Sequence, residues 1–172
     1  MQLNEQMTDL IERLIREYGK DIYSFCVYLT GSRDQADDLY QQTFLTAMEK
    51  ENIREEDNPK SYLLSIAANL SNNRRRKLFR HNDVSIEDEG VNEVADPSGS
   101  VEDDVIAKVM RDAIRKAVME LPLKIRGTVV LFYMEDMGIG DIARTLQISE
   151  GTVKSRLHNA KKKLRERLAL YE

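Results

Sequence analysis

Gly140-Asp141-Ile142-Ala143-Arg144-Thr145-Leu146-Gln147-Ile148-Ser149-Glu150-Gly151-Thr152-Val153-Lys154-Ser155-Arg156-Leu157 carries two helical patterns separated by a turn. Ile142, Ala143 and Leu146 give a short helix near 141–146 one apolar face, and the small Ala143 permits close approach by a second helix. Gln147-Ile148 forms the turn, with Ile148 as its plug. Ser149 is a natural cap for the next helix, because its side-chain oxygen can accept a bond from a free backbone N–H. In that next helix Val153, Leu157, Ala160, Leu164 and Leu168 form a stripe for burial. At about 100° per residue, Gly151, Ser155, His158 and Lys162 point the other way. Lys154, Arg156, Lys161 and Lys163 flank them. A Lys-rich stripe alone is an ordinary solvated face. With a short helix, a turn and a serine cap in register, it reads as a helix-turn-helix whose outer face suits the major groove and whose flanking bases suit phosphates. The contacts expected on DNA are Thr152, Lys154, Ser155, Arg156, His158, Asn159 and Lys162.

Upstream of this motif, Ile106, Val109, Met110, Ala113, Ile114, Ala117, Val118 and Leu121 recur at i, i+3, i+4 and i+7, which predicts an amphipathic helix ended by Pro122. Ile125, Val129, Val130 and Phe132 mark another. The N-terminal part is equally helical. Met7, Leu10, Ile11, Leu14, Ile15 and Tyr18, continued by Ile22, Phe25, Cys26 and Leu29, form one stripe that Gly31 stops. Ser32 with Gln35 opens a second helix through Ala36, Leu39, Tyr40, Thr43, Phe44 and Ala47. Asn58-Pro59 opens a third through Tyr62, Leu63, Ile66, Ala67 and Leu70, which ends in Arg74-Arg75-Arg76-Lys77 and Arg80. No strand pattern appears, so the fold class is all-α.

Charge divides the chain. The formal net charge is −4, which by itself argues against a nucleic-acid partner. Yet Asp83–Asp104 holds nine carboxylates and no Lys or Arg, which leaves 26 basic against 21 acidic residues elsewhere. That segment also contains Gly90, Pro97, Ser98, Gly99 and Ser100, and it reads as a flexible acidic linker. The expected organisation is two small helical domains, 1–82 and 106–172, joined by the linker 83–105. No stretch approaches the roughly 18 apolar residues of a membrane span, and Met1–Gln6 lacks the pattern of a secretory signal. Cys26 is the single cysteine and lies on an apolar stripe, so a buried thiol in a cytoplasmic protein is expected. A Gly-rich phosphate loop and an HExxH motif are both lacking, and the two histidines, His81 and His158, are far apart. Neither an enzyme, a metal site nor a cofactor is expected.

Taken together the motifs resemble the extracytoplasmic-function sigma factors of the sigma-70 family, along nearly the whole chain. Leu121-Pro122, the helix to Tyr133-Met134-Glu135-Asp136, Ile142-Ala143 and Ser149–Leu157 resemble that family's region 4. Ala36-Asp37-Asp38-Leu39-Tyr40-Gln41-Gln42-Thr43-Phe44 resembles region 2.2, and Pro59–Asn69 resembles the helix that leads into −10 recognition. The resemblance implies docking on core RNA polymerase through Asp37, Asp38, Gln41, Gln42 and Phe44, although spacing alone makes Phe44 a packing residue. It implies −10 contacts from Asn69, Asn72, Asn73, Arg74, Arg75, Arg76, Lys77 and Arg80, and −35 contacts from the helix-turn-helix. Promoter DNA, core polymerase and an anti-sigma factor are the implied partners. Two positions depart from the family pattern: Gln42 stands where Glu is usual, and Asn159 where a basic residue is frequent. An Asn there can read an adenine edge.

Blander readings exist for the same residues. A basic helix end is favoured by the dipole alone, and so are early-helix carboxylates such as Asp37 and Asp38. The rival function is a free-standing helix-turn-helix regulator, which would need a sensor or dimerisation domain where residues 1–82 stand.

Overall fold

The computed structural model describes residues 2–50, 52–54, 57–81 and 105–169. The chain divides into two compact units, Met1–Glu89 and Gly90–Glu172. Both are helical, with no strand among the described residues. The expected linker, 83–105, lies outside the described residues except for Val105, where a helix has already begun.

The first unit packs three long helices: α1 (Gln2–Thr30), α2 (Arg33–Lys50) and α3 (Pro59–His81), with a short 3-10 turn at Asn52–Arg54. Gly31 ends α1 as expected. Its φ of 71° is left-handed, open to glycine without steric penalty, and its N–H closes on the Val27 carbonyl at 2.8 Å. Asn58 caps α3, its Oδ1 accepting from the Ser61 N–H at 3.1 Å, with Pro59 at the first helical position.

Met7, Ile11, Leu14, Ile22, Phe25 and Leu29 from α1 meet Ala36, Leu39 and Ala47 of α2 and Leu63, Leu64, Ile66 and Ala67 of α3 in one core. Ile15 is the exception in the α1 stripe and faces outward. Cys26 is 0% exposed, and burial pushes its thiol up to about 12. Where α1 crosses α2, a side chain at Gly19 would collide with Tyr40, its Cβ standing 2.9 Å from the Tyr40 Oη. The space this leaves admits an edge-to-face series, Tyr23 to Tyr40 at 5.6 Å and Tyr40 to Phe44 at 5.0 Å.

The second unit has α4 (Val105–Met119), α5 (Leu123–Tyr133), α6 (Ile139–Leu146) and α7 (Glu150–Leu168). Its core is Ala113, Ala117, Val118, Met119, Leu121, Val129, Val130, Leu131, Ile142, Ala143, Leu146, Val153 and Ala160. Two expectations need correction. Of the α4 stripe only Ala113, Ala117 and Val118, with Leu121 just beyond the helix, are buried, in the half where α4 meets α5 and α7. Val105, Ile106, Val109, Met110 and Ile114 are exposed. In α7, Val153 and Ala160 are fully buried, whereas Leu157, Leu164 and Leu168 are half-buried.

Arg126 was not anticipated as a core residue. It is 3% exposed, and its Nη2 donates to the carbonyls of Met119 at 2.5 Å and Leu121 at 3.0 Å. The last carbonyls of a helix have no partner within it. A guanidinium reaching back across Pro122 satisfies the carbonyl of Met119 at the end of α4 and that of Leu121 in the connection to α5.

Candidate nucleic-acid interface

The turn before α7 is built by local chemistry. Gln147 ends α6 in the left-handed region, φ 55°, and its N–H bonds the carbonyls of Ala143 and Arg144. The Ile148 N–H also returns to the Ala143 carbonyl, at 3.0 Å. Ser149 then caps α7, its Oγ accepting from the Thr152 N–H at 3.1 Å and lying 2.9 Å from the Thr152 hydroxyl. These bonds set the angle at which α7 leaves the turn. Val153 and Ala160 anchor its inner side against α5 and α6.

Lys154, Ser155, His158, Asn159 and Lys162 are all exposed on the remaining surface, beside Lys161 and Lys163. Thr152 is half-buried against its cap. Arg156 is also half-buried, and burial lowers its guanidinium from the ordinary value. It lies at the margin of the face. Within α6, Arg144 of the last turn pairs with Asp141 of the first.

In the first unit the basic end of α3 forms a second surface. Asn73, Arg74, Arg76, Lys77 and Arg80 line an open concavity of about 410 Å³ together with Leu70 and, from α2, Gln42. Asn69 and Asn72 are half-buried and lie outside that lining, and the Asn72 Oδ1 accepts from the Arg75 Nη2 at 2.6 Å. Arg75 is accordingly half-buried, whereas Arg76, Lys77 and Arg80 are exposed. The grouping has the chemistry of a phosphate-holding surface with an apolar floor and two amides within it.

Asp37 and Asp38 of α2 are exposed but engaged. Asp37 accepts from the Tyr23 hydroxyl at 2.6 Å, a bond that is the main reason the Tyr23 phenol is raised. Asp38 accepts from the Arg74 Nη2 at 2.5 Å. Gln41 is exposed and Gln42 half-buried. Phe44, expected at the docking surface, is instead 5% exposed and set edge-to-face with Tyr40, so it packs the helix that carries the carboxylates. Sequence reasoning missed both cross-helix bonds. Tyr23 and Asp37 are 14 residues apart and Asp38 and Arg74 are 36 apart, and opposite charge alone does not reveal such a pairing.

Both surfaces coincide with known sequence families. The model for Sigma-70 region 2 matches residues 14–81, and that for Sigma-70, region 4, matches residues 111–164. The chain is 32% identical over 158 residues to the ECF RNA polymerase sigma factor SigL of Mycobacterium tuberculosis, covering 91% of this chain and 87% of that one. It is 30% identical over 169 residues to SigW of Bacillus subtilis, covering 93% and 89%. Among solved structures, the sigma factor RpoE in complex with the anti-sigma factor NepR from Bartonella quintana superposes with a TM-score of 0.71 at 25% identity, over 95% of this chain and 99% of that one. CnrH, solved with the cytosolic domain of CnrY, shares the fold, with a TM-score of 0.61 at 18% identity, over 99% and 97%.

With both regions present in order and relatives of that kind aligned along most of its length, the chain belongs to the extracytoplasmic-function RNA polymerase sigma factors of the sigma-70 family. Proteins of this class are regulatory and not catalytic. The free-standing regulator is disfavoured, because region 2 occupies the place where a sensor domain would stand. Among the described residues, no helix is long and apolar enough to cross a membrane.

Proposed function

We propose a division of labour among the residues of this sigma factor. Residues 1–82 act as the region 2 domain, 83–105 as the linker and 106–172 as the region 4 domain. Asp37, Asp38, Gln41 and Gln42 on α2 dock on core RNA polymerase. Asn69, Asn72, Asn73, Arg74, Arg75, Arg76, Lys77 and Arg80 of α3 hold and read −10 DNA, the cations on phosphates and the amides on base edges. Thr152, Lys154, Ser155, Arg156, His158, Asn159 and Lys162 of α7 address the −35 element. The chemistry of transcription stays with the polymerase, so this chain works in the cytoplasm and is not an enzyme. Its relative RpoE was solved with an anti-sigma factor, and a partner of that kind is proposed here too.

The observation that carries the reading is the serine-capped α7, held from beneath by Val153 and Ala160 while Ser155, His158 and Asn159 stay exposed at its start. Its test is a binding selection on randomised −35 DNA. Ser155→Ala and Asn159→Arg should change the preferred sequence, by about 1–3 kcal/mol per good base contact. Lys163→Ala should weaken all sequences alike and lower the salt slope by about one unit. If Lys163→Ala shifts the preference while the other two do not, α7 sits in the groove on a different face. Docking is tested by pull-down of core polymerase with Asp37→Arg/Asp38→Arg. Undiminished capture would remove the α2 assignment.

A further inference from the structure

Arg74 stands between two proposed surfaces. It lines the basic concavity with Arg76, Lys77 and Arg80, and its Nη2 donates to Asp38 on the docking helix. A guanidinium presents its donors in a fixed planar fork, and carboxylate and phosphate oxygens compete for the same donors and the same charge. The pair is solvent-accessible, 37% at the Arg74 side chain and 67% at Asp38, so water and incoming groups reach both partners. An ion pair of that exposure is readily exchanged. Its neighbour Asp37 is different: its bond comes from the neutral Tyr23 hydroxyl of α1, which is no donor of charge to DNA. Two adjacent carboxylates on one helix therefore differ in what they hold.

We infer that Asp38 and a nucleic-acid phosphate compete for Arg74, so that a cationic group on the polymerase that engages Asp38 releases Arg74 to the DNA. The inference rests on the docking and −10 assignments proposed above. In the free protein one cation of the −10 surface is occupied by the chain's own carboxylate. On the polymerase that carboxylate has another partner, and the DNA surface gains a charge. The coupling runs both ways by thermodynamic necessity: DNA that takes Arg74 leaves Asp38 open to the polymerase.

The experiment is a double-mutant cycle on the full chain without polymerase, using fluorescence anisotropy of a labelled single-stranded DNA 20-mer. Asp38→Asn should tighten binding about threefold, the size expected for loss of an exposed ion pair. It should also steepen the salt slope by up to about 0.7, one additional single-strand phosphate contact. Asp37→Asn should have a smaller effect on affinity and leave the slope unchanged. In an Arg74→Gln background, the gain from Asp38→Asn should fall to the small gain of Asp37→Asn, with no change in salt slope. Equal gains from Asp37→Asn and Asp38→Asn that persist in Arg74→Gln would mean that only the overall field matters, and the competition would be overturned. A triple Arg76→Gln/Lys77→Gln/Arg80→Gln variant separates the layers. If it weakens binding while Arg74→Gln has no effect even in the Asp38→Asn background, where Arg74 is released, the −10 surface stands and the competition falls. If neither changes affinity, the −10 assignment fails, and the competition with it.

Discussion

The two units place their functional helices by different means. In the first, long helices bury wide apolar faces on each other, and the position of α2 follows from packing: Leu39 and Ala47 in the core, Tyr40 seated over Gly19, Phe44 edge-to-face with Tyr40. In the second, shorter helices bury less, and polar devices at helix ends take over. Arg126 closes the end of α4, Gln147 turns the chain out of α6, and Ser149 starts α7. Apolar packing tolerates approximate fits, whereas a cap fixes a direction. The exposed outer face of α7 belongs to a helix that begins at such a cap.

The contrast can be tested most strongly in the cores. Leu63→Ala should lower the stability of the first unit by about 2–5 kcal/mol. In a denaturant titration followed by unit-specific probes, the second unit should keep its midpoint. A shared loss would show that the two units unfold as one. Next in size is Arg126→Met, which keeps most of the side-chain volume and removes both bonds to the α4 end. It should destabilise the second unit by about 2 kcal/mol, a charged hydrogen bond being worth roughly 1.5–3. A neutral result would place the second unit in the same packing-dominated class as the first.

Ser149→Ala should cost about 1 kcal/mol, measured by thermal unfolding of the second unit. It should also weaken −35 DNA binding without changing which sequence is preferred. A changed preference would mean that Ser149 touches DNA directly. The smallest effect is expected at Val109, 55% exposed in the unpacked half of α4. Val109→Ser should alter unfolding by no more than about 0.5 kcal/mol. A loss of several times that size would show the stripe to be packed after all.

Most of the architecture was legible because helix ends are written in local chemistry. Gly31, Asn58-Pro59 and Ser149 each occupy the position their residue type predicts. The short helix preceding the turn begins at Ile139, two residues ahead of the first one expected. Burial was less legible. Periodicity shows which side of a helix is apolar and not how far along it the neighbours extend, so Ile106, Val109 and Met110 looked like core residues. Site residues followed the same division. The outward face of α7 was readable from angle alone. The ties that decide how Asp37, Asp38 and Arg74 are held depend on the approach of helices distant in sequence, and no local pattern encodes them.

Gly31 has a further consequence, in the order of events as the chain folds. A link of two residues, Gly31-Ser32, joins two helices of 29 and 18 residues, so the pairing of α1 with α2 demands almost no loop closure. Contacts close in sequence form fast, and helical folds dominated by them reach the native state in microseconds to milliseconds. On the ribosome, where N-terminal segments emerge first, this hairpin can form with its apolar seam still uncovered. Leu63, Leu64, Ile66 and Ala67 of α3 must then emerge to complete the core. Arg74, further along the same helix, arrives after the carboxylate it meets, so α2 exists before the basic surface beside it.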